Sequence, residues 1–251
     1  MNKKDDKEEW AYGINPVLEA LRSDQGIGVI YCSQEKSEHN RKIISMAQAR
    51  SIPVKIVKKE FFETRFHKGH QGVAAILSQR KLLSIDQLID IPMAKGELPF
   101  FLILDCIEDP RNFGALLRVA DAAGIHGIVF QSHRSAAITG IVAKTSAGAL
   151  THVNLSEVVN VKHALEMMKK SDISIVGAES GSPLSLWDLD MTMPLALVIG
   201  SEGQGLRRTV KEKCDFIVNI PMLGRVNSLN VSVAAGILSY EVIRQRRAAI
   251  P

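Results

Sequence analysis

The sequence is poor in cysteine and has no long apolar run, and each shortage argues against a class of protein. Its 251 residues include only 3 cysteines, Cys32, Cys106 and Cys214, which are far apart. Such a set does not suit a disulfide-stabilised secreted domain and is typical of reduced thiols in a cytoplasm. No segment approaches the ~20 consecutive apolar residues of a membrane-spanning helix, and no apolar stretch follows the charged amino terminus. We therefore expect a cytoplasmic protein with no membrane segment.

The overall balance of residues is ordinary. Hydrophobic residues make up 46% of the chain and charged residues 23%, with 18 Gly and 9 Pro. These proportions are typical of a soluble globular protein and not of a disordered or collagen-like one. At roughly 150 residues per domain, the length fits one large domain or two small ones.

Positive charge is concentrated in the first third of the chain. The net charge is +4, and the first 80 residues carry all of it, with 14 basic against 10 acidic side chains. Within residues 50–80, seven Lys and Arg face only Glu60 and Glu63, with His67 and His70 beside them. A local excess of this kind attracts polyanions such as nucleic acid. A solvated charged face explains the same residues equally well.

The apolar pattern predicts a small α/β unit in the amino-terminal part of the chain. Asn15-Pro16 is typical of a helix start, and this helix should run to Leu21. Strands are predicted over 28–32, 53–57 and 72–77, with a helix over 38–50. Residues 78–98 contain Pro92 and Gly96 and are interpreted as a linker with a weak helix over 85–91.

From residue 100 onward, strands and helices alternate. Buried-type strands are predicted over 100–105, 127–130, 173–178, 195–200 and 216–220, and helices over 113–123, 162–170, 206–213 and 229–247. This alternation indicates a mostly parallel sheet with helices on both faces, and therefore an α/β fold class.

Three polar loops follow predicted strands, where ligands bind in parallel sheets. The first runs from Asp105 to Arg118, and we expect its Pro110 and Gly114 to fix the turn. The second is Gly200-Ser-Glu-Gly-Gln-Gly205 and the third spans residues 221–230. Plainer explanations exist, because Asp109-Pro110 with Asn112 could make a turn that caps a helix, and Ser228 with Asn230 could cap the last helix.

Several other chemistries lack their signatures. The second loop reads G-x-x-G-x-G, which is neither the dinucleotide-binding G-x-G-x-x-G nor a P-loop. His67 and His70 have no third ligand at a useful spacing, so we expect no metal site. No grouping of Ser, His and Asp indicates a hydrolase.

Taken together, the loops carry N-x-G-x-x-x-R, then G-S-E-G-x-G, then I-P-M-x-G-x-x-x-S-L-N-V-S. In this order they resemble motifs 1, 2 and 3 of the SpoU (TrmH) family of RNA ribose methyltransferases, part of the SPOUT class. The resemblance covers about residues 100–247. More weakly, residues 12–21 and 70–74 are similar to the start and end of the family's small RNA-binding domain, which has a ribosomal-protein-like fold. The combination is most similar to the branch that methylates a guanosine ribose in large-subunit ribosomal RNA.

The resemblance implies a domain organisation and an assembly. It implies an RNA-binding domain over residues 1–77, a linker over 78–98 and a methyltransferase domain over 99–251. The latter would contain a trefoil knot within about residues 195–247, a rare exception to unknotted chains. Family members are homodimers in which one protomer completes the other's site, so the final helix is expected at an interface.

The resemblance also implies S-adenosylmethionine as the methyl donor and a ribose 2′-hydroxyl as the acceptor. The matching cofactor-binding positions are Gly200, Ile220 and Leu229. Further candidates beside them are Ser201, Met222 and Ser228. Glycine permits a close approach to a ligand, while the isoleucine and leucine offer apolar walls.

Five residues form the candidate catalytic set implied by the resemblance: Asn112, Arg118, Glu202, Ser228 and Asn230. Arg118 matches the family's essential arginine. We expect it to hold the target phosphate and stabilise the developing alkoxide, because a guanidinium rarely gives up its proton. Asn112 is expected to orient Arg118 or the ribose. Glu202 is expected to fix the loops and position Asn230, with a simple ion pair to a neighbouring arginine as the alternative.

Two other functions stay open. The same fold could methylate the ribose of transfer RNA, although such enzymes more often carry helical extensions than an α/β front domain. The chain could also be a non-catalytic RNA-binding factor in ribosome assembly. The intact candidate set argues against a decayed site.

Overall fold

The computed structural model describes residues 9–22, 27–34, 37–66, 69–77, 82–138 and 140–249. The chain divides into two compact units, residues 1–81 and 82–251. Among the described residues, no helix combines the length and the apolar character that a bilayer span requires.

The amino-terminal unit is a four-stranded sheet with helices. Its elements are β1 (Glu9–Tyr12), α1 (Ile14–Arg22), β2 (Ile27–Ser33), α2 (Glu38–Ala49), β3 (Val54–Val57), α3 (Lys59–Glu63) and β4 (Val73–Leu77). The strand order is β1-β4-β2-β3, and only the β2–β3 pair is parallel. The helices α1 and α2 bury Val17 and Ile43 with Ile30 of β2 in one core, so they cover the same face of the sheet.

The second unit is a seven-stranded sheet in which every pair of neighbouring strands is parallel. Its helices are α4 (Ile85–Lys95), α5 (Pro110–Ala122), α6 (Gly140–Thr145), α7 (Val161–Lys170), α8 (Arg208–Lys211) and α9 (Val231–Ala248). Its strands are β5 (Phe100–Asp105), β6 (Gly127–Gln131), β7 (Leu155–Val158), β8 (Ser174–Ala178), β9 (Leu184–Ser185), β10 (Leu195–Gly200) and β11 (Phe216–Asn219). The order across the sheet is β7-β6-β5-β10-β8-β11-β9.

Alternate residues of each strand point to opposite sides of this sheet, so a strand of apolar residues presents an apolar surface on both faces. Helices pack on each of the two faces. On β5, Leu102 and Leu104 join one core, which α5 and α9 complete. Phe101 and Ile103 of the same strand join the other core, which α4 and α7 complete. The predicted α/β class with a parallel sheet covered on both faces is confirmed.

The predicted linker differs from the structure. Residues 78–81 lie outside the described part of the chain, but α4 begins at Ile85, after a capping box made by Ser84 and Gln87. Its Leu88 and Ile89 are buried in the core of the second unit. The second part of 78–98 is therefore an integral helix of that unit, because its apolar side chains have a sheet to pack on. The helix does not end before Pro92 as predicted, since α4 includes this proline and continues to Lys95.

Several other boundaries differ, for reasons of local packing. The apolar pattern does not predict the strands β1, β7 and β9 or the helices α3 and α6, which are short elements of two to six residues. The helix predicted from residue 113 begins at Pro110, with Asp109 as its N-cap. Gly114 therefore lies inside α5 and not in a turn. A Cβ at this position would stand 1.9 Å from the Thr145 hydroxyl oxygen, so the glycine lets α5 and α6 approach closely.

Candidate active site

The three polar loops lie at one edge of the parallel sheet. β5 and β10 are neighbours in register, and Gly200 at the end of β10 pairs with Asp105 at the end of β5. β11 lies two strands from β10, beyond β8. Because the carboxyl ends of parallel strands meet at the same edge, loops far apart in sequence are brought together there.

The first cavity at this edge has a volume of about 360 Å³, which is within the range of small-ligand sites. The six sequence-predicted cofactor residues all line it: Gly200, Ser201, Ile220, Met222, Ser228 and Leu229. Apolar walls come from Ile199 and Val218 together with Ile220 and Leu229. A Cβ on Gly200 would lie 2.2 Å from the Gly205 carbonyl carbon, so only glycine permits the loop to fold back here.

A second cavity, of about 560 Å³, adjoins the first and is more polar. Residues Ser201, Glu202, Gln204 and Gly205 line both cavities, so the loop after β10 forms the wall between them. The far side of the second cavity is formed by the loop after β5, the first turn of α5 with Asn112, and the arginines Arg134 and Arg207. A ligand in one cavity would therefore lie next to a ligand in the other, along the border that the two cavities share.

The three motifs meet in one hydrogen-bond network. The Asn230 side-chain amide donates to Glu202 Oε1 at 2.7 Å and to Asn112 Oδ1 at 3.1 Å. The backbone N–H of Val231 also donates to Glu202 Oε1, at 3.3 Å. Glu202 thus joins the loop after β10 to Asn230 and to the start of α9, and it forms no ion pair with an arginine in the described part of the chain. Asn230 is at the same time the N-cap of α9, accepting from the N–H of Ser232.

Two carboxylates hold the end of the loop after β10. Glu179, which follows β8, accepts from the backbone N–H of Leu206 at 3.0 Å and pairs with Lys211 at 2.6 Å. Asp105, at the end of β5, accepts from the backbone N–H of Arg207 at 3.0 Å and from its Nε at 2.7 Å. The consecutive amides of Leu206 and Arg207 are therefore bonded to carboxylates at the ends of β8 and β5, the two strands that flank β10. These bonds hold the loop after β10 in place.

Burial and ion pairing determine the ionisation of the side chains at the contact between Asp105 and Arg207. Asp105 is fully buried, while the Arg207 side chain is 35% exposed. Burial lowers the pKa of Arg207, but the hydrogen bond and the negative charge of Asp105 outweigh it, so the pKa is raised. Burial, followed by the charge of Asp105, raises the pKa of the adjacent Cys106 thiol. Arg207 is therefore a firmly charged group and Cys106 a neutral one at neutral pH.

Arg118 is not brought to either cavity of its own chain. It lies exposed on α5 and forms no hydrogen bond or ion pair with the described residues. Six helical positions separate it from Asn112, which places the two side chains about 120° apart around the axis of α5. Asn112 is bonded to Asn230 instead. The expectation that Asn112 orients Arg118 is therefore not met within one chain.

Sequence reasoning gave no role to Asp105, Glu179 or Arg207. A signal was present for the two acids, because each directly follows a buried strand of a parallel sheet. His67, Lys68 and Arg80 of the basic stretch lie outside the described residues. Within the described ranges, no three His, Cys, Asp or Glu side chains are grouped as metal ligands would be.

A doubly covered parallel sheet with a ligand cavity in its glycine-containing loops, beside a polar cavity, suits a class of protein that binds two molecules side by side. Family models identify the class further. Residues 99–240 match the SpoU rRNA Methylase family, and residues 10–83 match the RNA 2′-O ribose methyltransferase substrate binding domain. The chain belongs to the SpoU (TrmH) family of RNA methyltransferases, and it is an S-adenosylmethionine-dependent RNA 2′-O-methyltransferase.

Individual relatives agree with this assignment. A Bacillus subtilis protein, YacO, named as a TrmH family tRNA/rRNA methyltransferase, is 41% identical over 239 residues, which cover 95% of this chain and 96% of the relative. The crystal structure of the SpoU methyltransferase AviRb from Streptomyces viridochromogenes with the cofactor AdoMet has a TM-score of 0.75 at 24% identity, covering 99% of this chain and 95% of that one. An AdoMet-bound rRNA methyltransferase from Sinorhizobium meliloti has a TM-score of 0.74 at 22% identity, covering 99% and 90%.

Proposed function

We propose that this methyltransferase acts on a guanosine ribose of large-subunit ribosomal RNA, with its cofactor in the first cavity and the acceptor ribose in the second. The observation that carries the proposal is the convergence of all six candidate cofactor residues on one cavity, directly beside a polar cavity lined by Asn112 and Glu202.

The residues of the first cavity fit S-adenosylmethionine. Ile199, Val218, Ile220 and Leu229 provide apolar walls for a flat base, and the close fold-back at Gly200 leaves backbone groups of the loop accessible. Ser201, Ser228 and the side chain of Glu202 supply polar groups for the ends of the molecule. When bound, the cofactor supplies an electrophilic methyl group on a sulfonium.

The chain's own residues prepare the acceptor. Glu202, fixed by Asn230 and by the N–H of Val231, lies on the wall between the cavities and orients the ribose against the cofactor site. Alignment of this kind contributes up to about 7–11 kcal/mol in well-oriented reactions. With the ribose held there, its 2′-hydroxyl would face the methyl group that the bound cofactor would supply, and the hydroxyl proton would leave to water or to an RNA phosphate.

Arg118 acts as a fixed cation in this proposal and not as a base. It is exposed and outside both cavities of its own chain, so we place it in the site of a second protomer. A homodimer is supported by an apolar stripe on α9, formed by Val233, Ile237 and Tyr240, which are 49%, 38% and 54% exposed. Their spacing of four and three positions places them on one face of the helix. There Arg118 would hold the target phosphate and stabilise the developing alkoxide.

The choice of ribosomal RNA is supported by the amino-terminal unit. The rRNA methyltransferase of Sinorhizobium meliloti matches almost the whole of this chain, including that unit. Transfer RNA is the second candidate, because the Bacillus subtilis relative bears a name that includes both RNAs. A knot within about residues 195–247 and a cytoplasmic location, which suits the three free thiols, belong to the same proposal.

The test is methyl transfer from radiolabelled S-adenosylmethionine to large-subunit ribosomal RNA fragments and, in parallel, to transfer RNA, followed by mapping of the modified ribose. We expect transfer to one ribosomal guanosine, and transfer only to transfer RNA would refute the substrate. Arg118→Ala should abolish turnover while calorimetry shows unchanged cofactor binding. Cofactor binding without turnover on any RNA would instead support the non-catalytic assembly factor.

Mixed dimers test the placement of Arg118. Leu229→Arg is designed to fill the first cavity with a long side chain, and like Arg118→Ala it should be inactive alone. If Arg118 serves the partner's site, a mixture of the two variants contains one intact site per mixed dimer and regains activity. If Arg118 serves its own chain, the mixture stays inactive.

A further inference from the structure

Aromatic side chains are concentrated on one face of the amino-terminal sheet. Of the chain's 8 Phe, 2 Trp and 3 Tyr, six lie within residues 10–66. Five of these form a group, here called the aromatic face: Trp10, Tyr12, Tyr31, Phe61 and Phe66. Trp10 contacts three of the others, with ring centroids 5.4 Å from Tyr31, 6.3 Å from Phe61 and 5.3 Å from Phe66.

The register of the strands explains why these rings meet. Tyr12 on β1 and Tyr31 on β2 are both paired with Ala74 on the strand between them. Because Ala74 is small, it leaves a hollow in which rings from the two outer strands can approach each other. Trp10 and Tyr12 are two positions apart on β1 and therefore point to the same side of the sheet.

The aromatic face is not a second closed core. The opposite side of the sheet is covered by α1 and α2, and its residues Ile30, Cys32 and Val73 are fully buried. On the aromatic face, the described residues of this unit that lie over the sheet are those of the short helix α3 and the segment after it, which bring Phe61 and Phe66 to Trp10. All five rings stay partly exposed, and Tyr12 is 40% exposed. Five partly exposed rings side by side form a surface on which the planar groups of a ligand can stack.

Cations are in contact with these rings. Arg65 lies over the Phe61 ring at 4.4 Å, and Phe61 stacks on Tyr31 at 4.7 Å with an interplanar angle of 18°. Lys55, paired with Tyr31 in the β2–β3 register, lies 5.7 Å from the Tyr31 ring centre. Lys58 is exposed close by in sequence, and Glu63 is partly neutralised by Lys59 at 3.6 Å. The border of the aromatic face therefore favours an anion.

We propose that the aromatic face binds unpaired bases of the RNA substrate, with Lys55 and Arg65 contacting the adjoining phosphates. This inference rests on the proposed function, since it names the RNA feature that the substrate-binding unit recognises. Partly exposed rings beside cations suit single-stranded RNA, because stacking holds any base while the cations follow the backbone. A duplex hides the faces of its bases and offers nothing for the rings to stack on.

The test measures the affinity of the full-length protein for a fluorescein-labelled oligouridine of about 12 nucleotides, a length within the usual range of single-strand sites. An RNA duplex of the same length serves as the comparison. Tyr12→Leu removes a ring and keeps apolar bulk, and Tyr12→Phe keeps the ring. Ile56→Ala is the matched control, because Ile56 is 53% exposed and pairs with Cys32 on the opposite face. Thermal melting checks that each variant folds.

We expect Tyr12→Leu to weaken single-strand binding about 5- to 100-fold, while Tyr12→Phe and Ile56→Ala stay within about twofold. Arg65→Gln should also reduce the slope of log affinity against log salt by about 0.7, whereas Arg41→Gln, on α2, should not. Duplex binding should change little in Tyr12→Leu. If Tyr12→Phe loses as much affinity as Tyr12→Leu, the ring is not the binding element and the proposal is wrong.

Three other results would overturn the inference. The first is an unchanged single-strand affinity in Tyr12→Leu, and the second is no single-strand binding by the wild type. The third is a Tyr12→Leu variant that changes its sedimentation but not its RNA affinity, which would identify the aromatic face as a protein interface. The outcome is separable from that of the proposed function. If the wild type methylates ribosomal RNA and Tyr12→Leu changes neither affinity nor KM, the inference about the aromatic face is wrong and the proposed function stands. If Tyr12→Leu weakens RNA binding but the wild type does not methylate ribosomal RNA, the proposed function is wrong and the inference about the aromatic face stands.

Discussion

Asp105 and Arg207, 102 positions apart in the chain, are joined at two points: the carboxylate accepts from the backbone N–H of Arg207 at 3.0 Å and from its Nε at 2.7 Å. Gln131 at the end of β6 accepts from the same guanidinium at 2.8 Å. The contact therefore ties the ends of β5 and β6 to the loop that separates the two cavities. Its geometry makes Arg207 a structural part of the site.

Arg207→Met should destabilise the second unit by about 2 kcal/mol. A buried charge that loses its partner costs about 3–5 kcal/mol, and we expect less here because water can reach the half-exposed position of Arg207. The measurement is hydrogen-exchange protection of β5 and β10 amides under increasing urea. Arg208→Met is the matched control, since its pair with Glu212 is exposed and should contribute within about 0.5 kcal/mol. Equal losses in the two variants would contradict the prediction.

Two glycines inside helices should respond to alanine with opposite signs. A Cβ at Gly114 would stand 1.9 Å from the Thr145 hydroxyl oxygen and 3.1 Å from the Ser146 backbone nitrogen, so Gly114→Ala forces α5 and α6 apart. We expect a loss of about 1–3 kcal/mol. At Gly236 in α9 the nearest atom of the same chain is 4.0 Å away, so Gly236→Ala should stabilise the single protomer by up to about 1 kcal/mol through helix propensity, and in the proposed dimer it should do so only where the partner leaves room for a methyl group.

Thermal unfolding of both variants measures this difference. A stabilised Gly114→Ala variant would show that α6 yields without cost. A destabilised Gly236→Ala variant would show that a second chain packs against α9 at this position.

Glu202→Ala should weaken S-adenosylmethionine binding about tenfold, because the loss of the bonds to Asn230 and Val231 releases the wall of the first cavity. Glu202→Gln should lose clearly less, since its amide oxygen can still accept from Asn230. Isothermal calorimetry of the two variants makes the comparison. Identical affinities in wild type and Glu202→Ala would mean that the loop needs no such support.

The Cys32 thiol should make the first unit lose stability in alkali. Burial raises the pKa of the Cys32 thiol from its ordinary value of 9.0 to about 11. The unfolded thiol therefore ionises first, and the stability contributed by the neutral thiol is complete below pH 9 and is lost as the pH rises to about 11. The loss should reach up to about 2 kcal/mol.

Urea unfolding followed by Trp10 fluorescence, in a Trp187→Phe background, measures the first unit separately. The difference between Cys32→Ala and the parent should shrink by that amount from pH 9 to pH 11. A constant difference across this range would show that the folded thiol ionises as readily as the unfolded one.

The sequence predicted those parts of the fold that are specified locally. β5 and β10 have the predicted bounds, because each is a buried apolar run that ends at a polar or glycine residue. The predicted helix over 206–213 forms only over Arg208–Lys211. The amides of Leu206 and Arg207 are taken by Glu179 and Asp105, which come from distant strands. No local pattern contains that competition, so the length of α8 was not predictable.

The candidate site shows the same limit. The resemblance to the SpoU family selected Glu202 and Asn230, and the structure brings them together with Asn112. The plainer explanation for Asn230 also holds, because it caps α9 while it bonds to Glu202. Arg118 was selected by the same resemblance but lies outside both cavities of its chain. Whether an exposed side chain on a helix serves its own chain or another depends on an interface that one sequence does not specify.

The position of β10 has a consequence for synthesis of the chain. β10 lies between β5 and β8, although both are made before it. Until residue 200 has been translated, β5 has an open edge where β10 belongs, and β8 has no neighbouring strand at all, because its other neighbour β11 is made later still. Unpaired edges of this kind invite pairing with other chains. A nascent or prematurely terminated chain is thus the form of this enzyme most exposed to aggregation, and the one for which chaperone protection matters most.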